Sequence, residues 1–405
     1  MKKTAALFLV IILLLQVCAC TKTEKKESGE SKTARETINY NDNFKGVWLS
    51  YYEIGDIFLK SDATQAQQKL DEIFGDLAQK GINTVFFHAR AFADAFYQSE
   101  FFPRSKYCAA GYDLLELAVK FAHKHNISLH AWVNPYRVAL DTPLEELPEN
   151  SPAVSLYKES ADNLILTETG IFFNPASVAA QKLIVAGIRE IAENYAVDGI
   201  GFDDYFYPGD SEEMDKASYA AYLNSGRKLN LCDYRRESVS NLIAAAHTCI
   251  KGINPNIVFG ISPQCFIEKN RDVLFADVAA WVQRGSVDYL LPQIYFGFEN
   301  ETAPFEACVN TWVEFLKDKD CALYVGLALY KSGKPDEYAS EDHHSRDSAY
   351  YEWINNDNII AREIKCLKAQ GVKGYCLYSY TSLYDAGDNE QLAIEVENLL
   401  PLLKD

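Results

Sequence analysis

The sequence predicts an α/β protein built as a (β/α)8 TIM barrel, with long strand-to-helix loops at the carboxyl-terminal face of the barrel. Three observations lead to this fold class. Short apolar runs alternate along the chain with amphipathic segments of helical length. Each helix returns to the next strand through a few residues, whereas several connections from strand to helix are long. Polar and aromatic residues follow the strand ends, which is where barrel enzymes place their active sites.

Runs rich in Val, Ile, Phe and Tyr mark the strands, and polar or Gly-containing turns bound them. A doubly wound open sheet is the competing α/β arrangement, but eight consecutive strand–helix units favour a closed barrel. The predicted strands cover residues 46–51, 83–90, 127–137, 197–204, 257–264, 287–296, 322–330 and 372–380.

Helices are predicted where apolar residues recur at spacings of three and four. The connections that follow the third, fourth and seventh strands are roughly 38, 30 and 25 residues long. All the elaboration therefore falls at one end of the barrel, where loops on a rigid scaffold carry function. The predicted helices cover residues 63–80, 112–125, 176–195, 235–251, 275–285, 305–318, 357–370 and 389–404, of which 275–285 is the least regular.

The amino-terminal segment predicts export and lipid anchoring. Two lysines precede an apolar run of 13 residues, which suits the core of a secretory signal and is short for a membrane span. The stretch "VCAC" resembles a bacterial lipobox, with Val17 and Ala19 placed before Cys20. We expect residues 1–19 to be a lipoprotein signal peptide and Cys20 to carry the lipid. An ordinary signal peptide and an uncleaved anchor are the alternatives.

The rest of the chain divides into two parts. Residues 20–43 are polar and without periodicity, which predicts a disordered tether. Residues 44–405 are long enough for one decorated barrel domain. We expect this domain to be exported and held on the extracytoplasmic side of the cell membrane by the lipid.

Composition excludes several classes of partner and cofactor. The net charge is −18 and no basic cluster follows the tether, so nucleic acid is not an expected partner. No CxxC pair or Cys/His spacing suggests a metal site, and we expect no metal. Neither a GxGxxG nor a GxxxxGK[ST] motif follows a strand, and we expect no nucleotide or other cofactor.

The stretch "VDGIGFDDYFYP" (197–208) places two adjacent acids, Asp203 and Asp204, at the tip of an apolar strand. Side chains alternate along a strand, so that Ile200 and Phe202 face the helices if Asp203 faces the barrel interior. A carboxylate in a barrel interior is unfavourable unless it is used or paired. We therefore predict that Asp203 belongs to an active site. Asp204 is either its partner or a hydrogen-bond acceptor on the rim.

The same alternation gathers further polar side chains at the strand ends. On the second strand it directs His88 and Arg90 inward, and Arg90 could instead neutralise Asp203 as a structural pair. On the third strand it directs His130, Trp132 and Asn134 inward, and His130, a turn deeper than Asn134, is expected to be a core histidine. On the sixth strand it does the same for Gln293 and Tyr295, and on the fifth for Ser262 and Gln264.

Aromatic residues indicate the class of substrate. The chain contains 25 Tyr and 22 Phe, and many of them follow strand ends, among them Tyr205, Tyr207 and Tyr295. Rings on an open rim stack on the apolar faces of sugars, while carboxylates and amides bind hydroxyl groups. With no phosphate-binding loop beside them, these residues favour a polysaccharide partner.

Several long motifs resemble one family. "GVWLSYYE", "INTVFFHARAFADAFYQSEFFP", "LHAWVNPYRV", "VDGIGFDDYFYP", "GISPQ" and "VDYLLPQIYF" are similar to glycosyl-hydrolase-like family ten, a former domain of unknown function. The resemblance runs from Gly46 to beyond Tyr380 and implies hydrolysis of glycosidic bonds. Some members are similar to enzymes that cut peptidoglycan glycan strands stripped of their peptides. The resemblance implies that the following are site residues: Arg90, Asn134, Arg137, Asp203, Asp204, Tyr205, Gln293 and Tyr295.

Glycosidic hydrolysis normally needs a proton donor and a second group that attacks or stabilises the anomeric carbon. We predict that Asp203 supplies one of these groups and that Asp204 supplies the other, with Glu268 as the alternative partner. Adjacent strand residues point in opposite directions, so both aspartates reach one sugar only if the strand ends between them. The stereochemical outcome stays open, and an acetamido group of the substrate is an alternative nucleophile.

Two other functions compete with hydrolysis. A non-catalytic glycan-binding lipoprotein would keep the aromatic residues and Asn134 but would make no use of the acids. A metal-dependent deacetylase would need a His/Asp ligand set, and the seven histidines do not fall into one. The hydrolase is the reading that uses both aspartates.

Overall fold

The computed structural model describes residues 43–108, 111–340 and 347–405. The expected signal peptide, the lipid-bearing Cys20 and the tether up to residue 42 lie outside the described residues. Among the helices that are described, none combines the length and the apolar character needed to cross a membrane.

One parallel sheet closes into a barrel, which confirms the predicted fold class. The spatial order is β6-β5-β4-β3-β2-β1-β8, and β7 closes the ring because its first segment pairs with β6 and its second with β8. The strands are β1 (Phe44–Leu49), β2 (Thr84–Arg90), β3 (Ser128–Val133), β4 (Gly199–Phe202), β5 (Val258–Ile261), β6 (Tyr289–Leu290), β7 (Ala322–Leu323 and Val325–Leu327) and β8 (Gly374–Leu377).

Helices surround the barrel and elaborate its carboxyl-terminal loops. Their ends follow local signals: Asp62 accepts a hydrogen bond from the Gln65 N–H at one helix start, and Gly81 ends that helix with φ at 95°. The helices are Tyr51–Phe58, Ala63–Lys80, Leu114–Lys124, Pro152–Glu159, Val178–Asn194, Lys216–Asn224, Leu231–Ile253, Ile267–Asp272, Val278–Gln283, Phe305–Leu316, Ser348–Asn355, Ile359–Ala369, Tyr380–Tyr384 and Glu390–Lys404.

Proline ends three of the barrel strands earlier than the alternation of apolar residues predicts. Pro135, Pro263 and Pro292 follow β3, β5 and β6 within two residues, and proline cannot donate to a strand ladder. Arg137, the last residue of the predicted third strand, instead begins a strand of a separate antiparallel sheet, where Arg137–Leu140 pairs with Gly170–Phe173. Its third strand is Leu164–Leu166. This small sheet therefore brings Arg137 over the mouth of the barrel.

Large rings fill the barrel interior. Phe44, Trp48, Phe86, Trp132 and Tyr289 pack in one buried cluster. The interior tolerates this volume because glycines face the rings: a Cβ atom on Gly260 would lie 2.2 Å from the ring of Tyr289. His130 lies among these rings with its Nδ1 3.1 Å from the Tyr289 hydroxyl, as expected for a core histidine. The polar site therefore rests on an aromatic floor.

A buried ion pair fixes the loop that follows β4. The Nε and Nη2 atoms of Arg235 donate to the Asp215 carboxylate, at distances down to 2.6 Å, and Arg235 also donates to the carbonyl oxygens of Asp210 and Ser211. Both side chains of the ion pair are almost fully buried. Since Asp203 begins this loop, the ion pair helps to hold the residues after β4 in place.

We predict that Arg235→Leu lowers the free energy of unfolding by about 3–5 kcal/mol, because it leaves the buried Asp215 charge without its cationic partner. Urea denaturation measures the change. Arg236→Leu is the matched control, since Arg236 pairs with Asp233 at the partly exposed surface, and should lower the free energy of unfolding by about 1 kcal/mol or less. Equal losses of unfolding free energy in the two variants would contradict a larger contribution of the buried ion pair to stability.

Candidate active site

A cleft of about 350 Å³ lies at the carboxyl-terminal ends of the barrel strands. Seven of the ten residues expected to bind or react with substrate line it, and Arg90, Tyr207 and Glu268 do not. The lining residues are Trp48, Ser50, Tyr51, Tyr52, His88, Trp132, Asn134, Arg137, Leu140, Asp203, Asp204, Tyr205, Ser262, Gln293, Tyr295, Tyr330 and Tyr378.

Asp203 is buried at the inner end of the cleft. The indole Nε1 of Trp132 donates to its Oδ2 at 3.1 Å, and the Tyr205 N–H donates to its Oδ1 at 3.3 Å. Burial raises the pKa of Asp203 to about 7, and the nearby charge of Asp204 adds to the shift. Asp203 is therefore a carboxyl group that can hold or release a proton near neutral pH.

Asp204 faces the same cleft because β4 ends at Phe202, before both acids. The Gln293 Nε2 donates to its Oδ1 at 3.1 Å and also to the carbonyl oxygen of Ser262. Burial raises the pKa of Asp204, while hydrogen bonds from Gln264 and Gln293 oppose the shift. Two adjacent carboxyl groups thus share one desolvated site, each held by its own donors.

The rim beside the acids carries a cation and an unpaired amide oxygen. The Arg137 guanidinium lies 3.7 Å from the centre of the Tyr205 ring, which is 46% exposed. Asn134 donates from Nδ2 to the Ala91 carbonyl oxygen at 3.0 Å. Its buried Oδ1 has no hydrogen-bond partner among the described residues, and buried polar atoms normally have one. This oxygen is therefore available to a donor group of a ligand.

Tyrosines form the opposite wall of the cleft. Tyr295 lies with its ring centre 6.1 Å from those of Tyr330 and Tyr378. The hydroxyl groups of Tyr378 and Tyr52 are 2.8 Å apart and share a hydrogen bond. Burial holds the pKa of Tyr295 well above its ordinary value, so its hydroxyl stays protonated and can donate.

The predicted inward orientation of Arg90 is wrong. A register shift between His88 and Arg90 in the pairing of β2 with β3 breaks the strict alternation of side chains. The guanidinium consequently points towards the outer helix Val178–Asn194, where a Cβ atom on Gly187 would lie 2.6 Å from its Nη1. It also lies 3.8 Å from the centre of the Phe102 ring. Arg90 neither lines the cleft nor pairs with Asp203, which also removes the alternative role considered for it.

Two loop residues likewise lie away from the cleft. Tyr207 is buried and donates its hydroxyl to Asp215 at 3.1 Å, so it packs inside the loop rather than on the rim. Glu268 is exposed on the short helix Ile267–Asp272. Their positions follow from tertiary contacts of the loops, which strand alternation does not govern.

His88 and Trp132 were predicted to face inward but not to belong to the site. Their rings stack with centres 3.7 Å apart and planes inclined by 13°. The stack positions the indole N–H that donates to Asp203. Alternation along β2 and β3 was the signal that pointed to them. Trp48 and Tyr51 also line the cleft, and Trp48 follows the same rule on β1.

The arrangement combines two carboxyl groups of raised pKa with an aromatic cleft and unpaired polar atoms. Residues 43–344 match the family described as Glycosyl hydrolase-like 10. The chain belongs to this family. Membership confirms the resemblance found in the sequence motifs and supports a glycosidase at the general level.

Two curated relatives of the Glycosyl hydrolase-like 10 chain carry the same general description. This chain is 30% identical over 370 residues to glycosyl hydrolase DigH of Escherichia coli strain K12, and the alignment covers 81% of this chain and 83% of DigH. It is 31% identical over 314 residues to glycosyl hydrolase YngK of Bacillus subtilis, covering 71% of this chain and 61% of YngK.

Solved structures share the fold at low identity. The glycoside hydrolase domain of PgaB (BpsB) from Bordetella bronchiseptica matches with a TM-score of 0.58 and 13% identity, over 90% of this chain and 99% of that domain. The catalytic domain of β-amylase from Paenibacillus polymyxa matches with a TM-score of 0.58 and 11% identity, over 90% and 99% of the two chains. At such low identity, these likenesses show that this chain has the barrel fold and show nothing more.

We predict that Asp203→Asn becomes relatively more stable as pH rises. An acid whose pKa is raised on folding destabilises the fold as pH climbs from its unfolded value, 3.8, through its folded value, about 7. Relative to the wild type, the free energy of unfolding of the variant should gain roughly 2 kcal/mol between pH 5 and pH 8. Urea denaturation at the two pH values measures this.

The change with pH is the diagnostic quantity, because the amide disturbs the hydrogen bonds of Asp203 equally at both pH values. Asp56→Asn, at an exposed position, controls for general charge effects. A constant difference between Asp203→Asn and the wild type would contradict the raised pKa.

Proposed function

We propose that the protein is a glycoside hydrolase that cuts peptide-free peptidoglycan glycan strands with the Asp203–Asp204 pair. The observation that carries the proposal is the meeting of both carboxyl groups in one tyrosine-lined cleft at the end of β4. Barrel enzymes assemble their active sites at this face. Family membership supports glycosidic hydrolysis. The choice of peptide-free strands rests on the resemblance of some family members to enzymes that act on them.

In the proposed mechanism Asp203 is the proton donor. Its pKa of about 7 lets it hold a proton in neutral solution and pass it to the leaving oxygen as the glycosidic bond breaks. The hydroxyl of a water molecule then bonds to the anomeric carbon. The remaining proton of that water returns to Asp203, which restores the starting state.

In the proposed mechanism Asp204 acts in its charged form. Gln264 and Gln293 donate hydrogen bonds that favour its charged form. Its negative charge stabilises the positive charge that develops at the anomeric carbon in the transition state. The tyrosine wall of Tyr295, Tyr330 and Tyr378 stacks on the apolar faces of the sugar rings and excludes water from the acids.

We expect Asp203→Asn and Asp204→Asn each to lower kcat on peptide-free glycan strands by about 10²–10⁴-fold, because each removes one catalytic carboxyl group. Mass spectrometry of the released fragments measures the rate and identifies the sugar unit. Glu268→Gln makes the same chemical change outside the cleft and should leave the rate within about twofold of the wild type.

Aryl glycosides separate the two roles, since a good leaving group needs no protonation. The loss in Asp203→Asn should shrink on such substrates, while the loss in Asp204→Asn should persist. No fragments from the wild type, together with unchanged glycan binding by both variants, would favour a non-catalytic glycan-binding protein instead.

We further propose that the protein is exported and anchored to the membrane through lipid on Cys20. The apolar run, the Val17–Ala19 spacing and the polar tether support this proposal. The tether would allow the acidic barrel domain to reach wall polymers while the lipid holds the chain at the membrane surface.

Labelling of producing cells with radioactive palmitate tests the anchor. We expect the wild type to incorporate label and to sediment with membranes, and Cys20→Ser to lose the label because the acceptor thiol is gone. Cys18→Ser is the matched control, two residues away, and should remain labelled. Incorporation of label by Cys20→Ser, or loss of label in Cys18→Ser alone, would contradict the proposal and assign the lipid to Cys18.

A further inference from the structure

One side of the cleft carries a buried cation that lacks a counter-ion in direct contact. Arg137 is 6% exposed and packs between Tyr205, at 3.7 Å, and Phe92, at 5.6 Å. Its Nε has no hydrogen-bond partner within residues 43–108, 111–340 and 347–405, and it forms no ion pair with a carboxylate of these residues. A buried guanidinium N–H without an acceptor is unfavourable, and a ligand can supply that acceptor.

His88 presents a second unused donor to the same cleft. The Tyr51 N–H donates to its Nδ1 at 3.2 Å, so that nitrogen carries no proton and the proton of the neutral ring lies on Nε2. Burial, and next the charge of Arg137, keep the pKa of His88 well below its ordinary value. Buried Nε2 makes no hydrogen bond to the described residues.

The two donors belong to one region of the site. Both side chains line the cleft, and the positive charge of Arg137 acts directly on the His88 ring. The stack on Trp132 fixes the orientation of the imidazole. A charged donor and a neutral one that line the same cleft, Arg137 Nε and His88 Nε2, both lack an acceptor among the described residues. Such a pair suits an anionic oxygen group better than a hydroxyl group.

We propose that Arg137 and His88 form a subsite for a carboxylate carried by the sugar. This inference rests on the proposed function, because peptide-free strands carry such a group. Each muramic acid residue has a lactyl ether whose carboxylate is free once the peptide has been removed. With the peptide attached, the same carbon belongs to a neutral amide that is bulkier and cannot neutralise Arg137. The subsite thus gives a physical reason for selecting strands without peptides.

The surrounding charges make this selection depend on Arg137. The chain has a net charge of −18, and Asp203 and Asp204 lie close enough for Arg137 to lower the pKa of both. An anionic ligand would be repelled from the cleft without the guanidinium. Asn134, whose Oδ1 is unpaired, complements the two donors by accepting from an N–H or O–H group of the same sugar.

A structural role for Arg137 makes a different prediction. If the guanidinium only neutralised the two aspartates, its removal would slow the cleavage of every substrate alike and shift the pH profile. A carboxylate subsite predicts a loss that depends on the substituent of the sugar. The two roles are therefore separated by comparing matched substrates.

The experiment uses the full-length protein in detergent and three glycan oligomers of equal length. The first carries free lactyl carboxylates, the second carries the same groups as neutral methylamides, and the third is an N-acetylglucosamine oligomer without lactyl groups. We expect the wild type to cleave the first with a kcat/KM about tenfold or more above the other two. Arg137→Gln should lower kcat/KM on the carboxylate oligomer to the value that the same variant shows on the two neutral oligomers, which abolishes the preference.

Further variants test the contact itself. Arg137→Lys should retain part of the preference, because it keeps the charge but loses the Nε donor. His88→Phe should weaken the preference by several-fold, since it keeps the stacked ring without the donor. Lys106→Gln removes an exposed cation outside the cleft and should leave the preference intact. If Lys106→Gln lowered the preference as much as Arg137→Gln does, the preference would come from the overall electrostatic field of the protein, and the subsite would be overturned.

The outcomes distinguish this inference from the proposed function. Cleavage of all three oligomers at one rate by the wild type overturns the carboxylate subsite and leaves the hydrolase standing. Absence of cleavage overturns the hydrolase, and calorimetry of the first two oligomers then decides the subsite by itself. In that case equal affinity for carboxylate and methylamide overturns it, and tighter binding of the carboxylate that Arg137→Gln removes supports it.

Discussion

The site depends on two carboxyl groups being kept next to each other and out of water. Burial and mutual repulsion both disfavour the ionised form of Asp203, so the rest of the barrel must stabilise this arrangement. Donors from Trp132, Tyr205 and Gln293 hold the carboxyl oxygens. The aromatic interior below them excludes solvent. The burial and the repulsion that destabilise the fold also raise the pKa of Asp203, so that this side chain can carry a proton at neutral pH.

Much of the fold and the centre of the candidate site could be predicted from the sequence. The repeated strand–helix pattern is local information, and it led to the eight barrel strands in their observed order. Loop lengths indicated the face of the barrel that carries the candidate site, because these lengths can be counted in the sequence without knowledge of tertiary contacts. Asp203 and Asp204 could be located because adjacent acids interrupt an apolar strand. That both face the cleft follows from β4 ending at Phe202.

The remaining residues depend on features that alternation does not encode. A register shift in β2 reverses Arg90, and one inserted residue is invisible in a pattern of apolar and polar letters. Tyr207 and Glu268 lie in loops whose paths are set by contacts such as the Asp215–Arg235 pair. Arg137 lies at the cleft because of the small antiparallel sheet and not because of the predicted third strand. The chain leaves the barrel at Pro135, and Arg137 begins the first strand of that sheet. Prolines after strands would have shown where these strands end.

Carbon-13 NMR titration of the Asp203 side-chain carboxyl is the most direct test of this account. Protein labelled at aspartate would be compared with Asp203→Asn, which assigns the signal. We expect a titration midpoint near pH 7 in the wild type, and a lower midpoint in Asp204→Asn because a neighbouring negative charge is gone. A midpoint near the ordinary aspartate value of about 4 would contradict the claim that burial beside Asp204 keeps Asp203 protonated for catalysis.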